Sequence, residues 1–152
     1  MSKWDDVASA EPEFASQVRE IFDAHRHKTL ATLRRDGSPR ISGIEAQFHD
    51  GELWVGAMPD SVKAHDLRRD PRLALHSASE DPPLRNPATW PGDAKIAGCA
   101  VEVRDPDGPA AGSGRFRVDI REVVLTRIGK PADHLVIVSW HPGPGLRSRE
   151  RR

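Results

Sequence analysis

Two Asp-Gly pairs, Asp36-Gly37 and Asp50-Gly51, constrain the fold of this chain more than any other sequence feature. Each pair separates two short runs that contain apolar and β-branched residues. Asp-Gly between such runs is a strong hairpin signal, because these residues tolerate the positive φ that a tight turn requires. Two such turns about one strand apart predict an antiparallel meander rather than a βαβ unit.

More short strands follow the meander. Strands are predicted at 29–33, 41–48, 53–55, 73–76, 94–103, 116–125 and 135–140. Gly98 interrupts one of them and predicts a bulge or a close approach of two backbones. The segments 79–93 and 105–114 are rich in Pro, Asp or Gly and are predicted to be loops. We therefore expect one domain, 1–152, that is mainly β with accessory helices and forms a small antiparallel barrel.

The accessory helices are two. Phe14, Val18, Ile21 and Phe22 recur at helical spacing, which predicts an amphipathic N-terminal helix over residues 10–26. A short second helix is predicted at 61–69, where Asp70-Pro71 ends it.

Charge and hydropathy exclude several classes of protein. Lys+Arg and Asp+Glu number 23 each, so the net charge is zero, which argues against a protein that binds nucleic acid over its whole surface. No apolar run approaches the roughly 20 residues of a membrane span. The first residues lack the apolar core of a signal peptide. The single cysteine, Cys99, cannot form an internal disulfide, so we expect a buried thiol and a cytoplasmic protein.

The C-terminal residues 147–152 differ from the rest, because they carry four Arg and one Glu. A short terminal run of charge is usually a frayed, solvated tail, and we predict a disordered basic tail here. The alternative is a contact with an anion, for example on a partner subunit.

Signatures of side-chain catalysis are missing from the sequence. It has no nucleophile elbow, no Walker A loop and no zinc motif, so we expect no metal site and assign no catalytic residue. His65 or His76 could relay a proton, and a structural role is the alternative for each.

One segment has the residue types of an anion site. Ser61 and Lys63 open the second helix, whose first backbone N–H groups are free and carry the positive end of the dipole. A hydroxyl and an ammonium there suit a phosphate, and Arg40 on a neighbouring strand could add a guanidinium. The alternative is a capped surface helix with a solvated lysine.

The order of these segments resembles the pyridoxamine phosphate oxidase-like family of flavin- and deazaflavin-binding split β-barrels. The resemblance covers roughly residues 12–104, and it depends on an ordered set of short motifs rather than on any single one. The motifs are Leu30-Ala31-Thr32-Leu33, Asp36-Gly37-Ser38-Pro39-Arg40, Asp50-Gly51, Ser61-Val62-Lys63-Ala64, Arg69-Asp70-Pro71-Arg72-Leu73-Ala74-Leu75 and Ile96-Ala97-Gly98-Cys99-Ala100.

The resemblance implies a homodimer that binds FMN or the deazaflavin F-420 in a groove between its subunits. By position in the motifs, Arg40, Ser61 and Lys63 would contact the cofactor phosphate. Ser42 and the residues from Trp54 to Met58 at the end of a strand would line the ring of the cofactor, with Met58 among the contacts. The segment from Trp140 to Arg147 resembles a C-terminal Trp…Arg element that reaches the active site in the oxidase.

Two departures from the oxidase concern charge. Glu45 and Val62 stand where the oxidase has a lysine and an arginine. The shorter relatives that resemble this chain are F-420 reductases, and in them Arg68, Arg69 and Arg72 would contact the anionic tail of that coenzyme. An exposed helix end is the alternative for these arginines.

Three functions stay open at this point. The first is a redox enzyme in which the bound cofactor exchanges a hydride with a small organic substrate. The second is a non-catalytic FMN or F-420 binding or carrier protein on the same fold. The third is a nucleic-acid partner that binds through the tail, which the acidic balance of the other residues argues against.

Overall fold

A computed structural model describes residues 1–104 and 114–152 of the chain. The predicted loop at 105–114 lies, except for Gly114, outside the described residues. The α-helices are α1 (Trp4–Ala10), α2 (Pro12–Asp23) and α3 (Val62–Arg69), and the strands are β1 (His27–Leu33), β2 (Pro39–His49), β3 (Glu52–Ala57), β4 (Arg72–His76), β5 (Asp93–Glu102), β6 (Gly114–Ile128), β7 (Leu135–His141) and β8 (Gly145–Arg151). No helix in the described ranges is long and apolar enough to cross a membrane.

The strands form one antiparallel sheet that closes on itself. Their order is β3-β2-β1-β4-β5-β6-β7-β8, and an additional pairing of β3 with β6 closes the first six into a barrel. The β7–β8 hairpin extends the sheet beyond the barrel. The predicted fold class, a mainly β split barrel with accessory helices, is confirmed.

Both Asp-Gly pairs make the predicted turns. Asp50 and Gly51 have φ values of 50° and 74°, so both central residues of the two-residue β2–β3 hairpin are left-handed, as a type I′ turn requires. Gly37 has a φ of 85° in the longer β1–β2 turn. There the Asp36 carboxylate accepts a hydrogen bond from the Ser38 N–H at 3.0 Å.

The helix predicted over 10–26 is α2, which begins at Pro12, and a further helix, α1, precedes it. The two helices are separated at Glu11, whose φ is −138°, because Pro12 disfavours helical backbone at the residue before it. Helix α2 ends at Asp23, and its predicted apolar face is buried at Phe14, Val18 and Phe22 and partly buried at Ile21. Helix α1 has only two buried residues, Trp4 and Val7, which is too weak a periodicity to predict from sequence.

The core fills the barrel and the space beneath α1 and α2. Leu30, Leu53, Ile96 and Phe116 are among its fully buried side chains, all on inward-facing strand positions. The register between β5 and β6 shifts at Ala97/Gly98, which confirms the predicted bulge. A side chain at Gly98 would overlap the backbone carbonyl of Asp119 on β6.

The C-terminal residues 147–152 also differ from their prediction as a disordered tail. Strand β8 pairs with β7 through this segment, with Ser139 opposite Arg147 and Leu135 opposite Arg151. Gly143 and Gly145 have φ values of 90° and 73°, and they allow the chain to reverse tightly before β8. Propensity rules do not predict a strand in this arginine-rich segment. The strand forms because it pairs with β7, not because of a local preference.

Candidate functional site

A groove of about 730 Å³ lies on the outside of the barrel where β2, β3 and the start of β6 meet the start of α3. Outward-facing residues of β2 form one wall, and the end of β3 with the segment that follows it forms the other. Its lining consists of His27, Gly43, Ile44, Glu45, Gln47, His49, residues 54–59, Ser61, Lys63, Gly114 and Arg115.

Three of the predicted cofactor-binding residues meet in this groove: Met58, Ser61 and Lys63. The Ser61 side chain caps α3 by accepting a hydrogen bond from the Ala64 N–H at 3.3 Å. The Lys63 Nζ donates to the Gly43 carbonyl oxygen at 3.0 Å, which holds the ammonium against β2. An ammonium has three donors, so two remain for a ligand. Met58 lies at the rim and is 80% exposed.

An aromatic–cation pair forms another part of the lining. The Arg115 guanidinium carbon lies 3.9 Å from the centroid of the Trp54 ring. The Trp54 Nε1 donates to the His49 carbonyl oxygen at 3.1 Å and fixes the indole. Alternation along β6 places Arg115 on the outside of the barrel, but only the β3–β6 closure places it beside Trp54. Sequence reasoning therefore missed Arg115.

Arg40 lies in a second depression, of about 480 Å³, together with Val62, His65 and Arg69. Here the buried Asp66 carboxylate accepts hydrogen bonds from the Arg40 Nε and from an Arg69 terminal nitrogen, each at 2.8 Å. The Thr32 hydroxyl donates to the same carboxylate at 2.8 Å. Burial raises the Asp66 pKa, but the hydrogen bonds from Arg69, Arg40 and Thr32 together outweigh it, so the pKa lies below its usual value.

Arg68 and Arg72 are held by acids outside both cavities. Arg68 forms a forked ion pair with Glu102, with a shortest distance of 2.9 Å. Arg72 pairs with Asp70 at 2.7 Å, and its hydrogen bond lowers the Asp70 pKa to about 2. Their predicted contacts with a cofactor stay predictions.

Ser42 and Trp140 also lie apart from the groove. Ser42 shares the inward-facing side of β2 with Ile44 and is half-buried, whereas Trp140 is buried in the core. Their predicted contacts with the cofactor or the active site, and that of the Trp140–Arg147 segment, stay predictions.

The side chains considered for other chemistry are spread over the barrel. His65 lies in the second depression, and His76 lies on β4 with its Nε2 3.7 Å from Asp93. Cys99 is a free thiol that is only half-buried in β5, less than we expected.

The groove fits a ligand that has a flat ring and an anionic group. Gly43 and Gly56 line it, and a Cβ at either would meet no atom within 4 Å, so the backbone is open to a flat ligand there. Ser61, Lys63 and the first backbone N–H groups of α3 are donors of the kind that can hold a phosphate. Glu45 adds a negative charge, with His27 at 3.8 Å from its carboxylate.

Comparison with known proteins agrees with this architecture. The sequence profile of pyridoxamine 5'-phosphate oxidase matches residues 14–138. Among curated proteins, none matches the sequence significantly.

Solved structures share the fold at low sequence identity. A pyridoxamine 5'-phosphate oxidase-related, FMN binding protein from Nostoc punctiforme has a TM-score of 0.64 at 13% identity, covering 100% of this chain and 98% of that one. An F-420 reductase has a TM-score of 0.51 at 16% identity, covering 69% and 94%. The haem storage protein HutZ from Vibrio cholerae has a TM-score of 0.53 at 14% identity, covering 74% and 90%.

These likenesses show the fold alone, whereas the profile match extends over most of the chain. The N-terminal helix face, the hairpins and the start of α3 all lie within the matched residues. The chain belongs to the pyridoxamine 5'-phosphate oxidase family.

Proposed function

We propose that this chain is an oxidoreductase that uses FMN or the deazaflavin F-420 and transfers a hydride between that cofactor and a small organic substrate. The observation that carries the proposal is the groove in which Lys63 and Ser61 stand beside the open backbone of Gly43 and Gly56. The bound cofactor supplies the hydride chemistry, so the site needs few acid–base side chains.

The residues of the chain bind and orient the cofactor in this proposal. Lys63 and Ser61 bind its phosphate, and the N-terminus of α3 adds backbone donors to the same group. The strand end Trp54–Ala57 flanks the ring and limits the access of water to one of its faces. Arg40 contributes from the neighbouring depression, where Asp66 fixes its orientation.

The pattern of charge argues against the doubly charged phosphate substrate of the oxidase itself. Glu45 lines the groove and Val62 the neighbouring depression, the two positions at which the oxidase has cations. With an acid at one of them, a second phosphate beside the ring meets repulsion. We therefore propose a substrate without a phosphate group.

The cofactor site is proposed to be completed by a second copy of the chain. The groove is open on the outside of the barrel, and Met58 at its rim and Ile41 on β2 are large apolar side chains exposed to 80% and 75%. A homodimer that covers these side chains would also enclose the cofactor. We propose the cytoplasm as its location, in keeping with the single free thiol.

The absorption spectrum of the protein purified from its own host tests the proposal. A pair of visible bands identifies a flavin, and a single band near the violet end identifies the deazaflavin. A sharp, intense Soret band would instead identify haem, in line with the fold shared with HutZ. A colourless protein that binds neither FMN nor F-420 on titration contradicts the proposed cofactor.

Turnover separates an enzyme from a carrier on the same fold. A catalytic protein reoxidises a chemically reduced cofactor faster with candidate acceptors than the free cofactor does. Equal rates with and without the protein would favour the non-catalytic binding protein.

A further inference from the structure

Arg115 is fixed at the wall of the groove by backbone and side-chain contacts. Its backbone pairs with Gly56 in the β3–β6 closure, and its guanidinium lies over the Trp54 ring at 3.9 Å. The indole is itself held by its hydrogen bond to the His49 carbonyl. The negative face of the indole ring attracts a cation that lies over it. Arg115 therefore has a defined position that needs no acidic partner from the described part of the chain.

Among the described residues, none occupies the donors of the Arg115 side chain with an ion pair. Within residues 1–104 and 114–152, its side chain makes no ion pair, whereas Arg117 on the same strand pairs with Glu52 at 3.2 Å and Arg68 pairs with Glu102. A guanidinium carries five N–H donors in its own plane, a geometry that suits a flat array of acceptor atoms.

The space beside Arg115 is open. Gly56 lies directly opposite it in the sheet register, and a Cβ built there would meet no atom within 4 Å. A flat ligand can therefore approach the strand backbone next to the guanidinium. Lys63 already donates one hydrogen bond to Gly43, and its place at the start of α3 suits the phosphate of the same ligand.

We infer that Arg115, held over Trp54, is the residue that recognises the ring of the ligand, through a charge-assisted hydrogen bond to the carbonyl- and nitrogen-bearing edge of a flavin-type ring. The inference rests on the proposed function, because it takes the groove as the cofactor site. It divides recognition between two cations: Arg115 binds the ring and Lys63 binds the phosphate. Positive charge beside that edge also stabilises the negative charge that the ring gathers on reduction.

Titration with FMN and with riboflavin, which has the same ring and no phosphate, tests this division. Ring fluorescence is followed for the parent protein, Arg115→Met and Lys63→Ala. We expect Arg115→Met to lower the affinities for FMN and for riboflavin by the same factor. That factor should be about tenfold or more, because one charged hydrogen bond is lost. Lys63→Ala should lower the affinity for FMN by a similar factor and leave the affinity for riboflavin unchanged. If F-420 binds more tightly, the pair is F-420 and its phosphate-free deazaflavin.

The control variant is Arg127→Met, which removes an exposed arginine from the same strand away from the groove. It should change neither affinity, and thermal unfolding of all variants should match the parent. The role of Arg115 is overturned if Arg115→Met binds riboflavin as tightly as the parent protein does while the parent protein still binds FMN. The cofactor site would then be retained, and the arginine would only cover the indole. A parent protein that binds none of these ring compounds overturns the proposed function and this inference together.

Discussion

Asp66 is the residue on which the second depression depends. Its buried carboxylate receives hydrogen bonds from Thr32, Arg40 and Arg69, which come from β1, β2 and α3. Arg40 uses only its Nε in this contact, so its terminal N–H groups remain for an anion. We regard Asp66 as a positioning residue for Arg40, since the carboxylate itself is buried away from a ligand.

Replacing Asp66 with Asn tests this role. The variant keeps the size of the side chain but leaves two guanidinium groups without their counter-charge, and we expect the free energy of unfolding to fall by about 1–3 kcal/mol. The loss stays below that of a fully buried pair, because Arg40 and Arg69 are 27% and 33% exposed. Urea denaturation measures it. Asp36→Asn, at the exposed rim of the same depression, is the control and should cost less unfolding free energy than Asp66→Asn.

The pH dependence of stability gives a second measure of Asp66. Its pKa is lower in the folded than in the unfolded chain, so its contribution is complete above the unfolded value of about 4 and is lost as the pH falls through the folded value. The parent protein should therefore lose unfolding free energy more steeply below about pH 4 than Asp66→Asn does. Parallel acid titrations of the two proteins would contradict this assignment.

At the scale of the elements, the bulge between β5 and β6 depends on the absence of a side chain at Gly98. The register shifts there, and the Asp119 carbonyl occupies the place of a Cβ. Asp119 also accepts a hydrogen bond from the Ser2 N–H at 2.8 Å, so the N-terminus lies against the same stretch of β6. A side chain at Gly98 would disturb both the close approach of the Asp119 carbonyl and the contact of Ser2 with Asp119.

Gly98→Ala should therefore lower the free energy of unfolding by about 1–3 kcal/mol, the usual cost of forcing extra volume into a packed site. Gly43→Ala is the matched control, because Gly43 is also a strand glycine but has open space where the methyl group would go. The control should be neutral or stabilising by up to about 1 kcal/mol, since alanine restricts the unfolded chain. Equal losses in the two variants would contradict the close approach at Gly98.

At the scale of the whole molecule, the outer face of the barrel carries a row of apolar residues, one isoleucine and three alanines, on neighbouring strands. Ile41, Ala31, Ala74 and Ala97 lie side by side on β2, β1, β4 and β5. Ile41 is 75% exposed in the single chain. A flat apolar row of this kind is suited to a second copy of the chain, in keeping with the proposed homodimer.

Ile41→Glu should convert the proposed dimer into a monomer, because it places a charge where the two faces would meet. Light scattering measures the mass, which should fall by half while the circular dichroism spectrum stays unchanged. Leu84→Glu, at a fully exposed position of the loop between β4 and β5, is the control and should remain dimeric. A parent protein that is monomeric at micromolar concentration would contradict the homodimer.

Local features of this protein can be predicted from its amino-acid sequence alone. The Asp-Gly turns, the apolar face of α2 and the Ser61 cap were all predictable, because each depends on residues close together in the chain. The bulge at Gly98 was predicted from the residue type alone, although the carbonyl that requires a glycine there lies on β6. The order of these motifs also indicated the family. Pro12 also indicates where α2 begins, but the two buried residues of α1 give too weak a periodicity to predict that helix from sequence.

Which distant residues share a site depends on the pairing of strands and the packing of helices on the barrel. The pairing of β3 with β6 brings Arg115 beside Trp54, and the packing of α3 on the barrel buries Asp66 between Thr32, Arg40 and Arg69. The arginine-rich C-terminus likewise forms a strand because it pairs with β7. The physical reason is the same in each case: these contacts come from strand pairing and packing between segments far apart in sequence, and no local propensity or spacing encodes them.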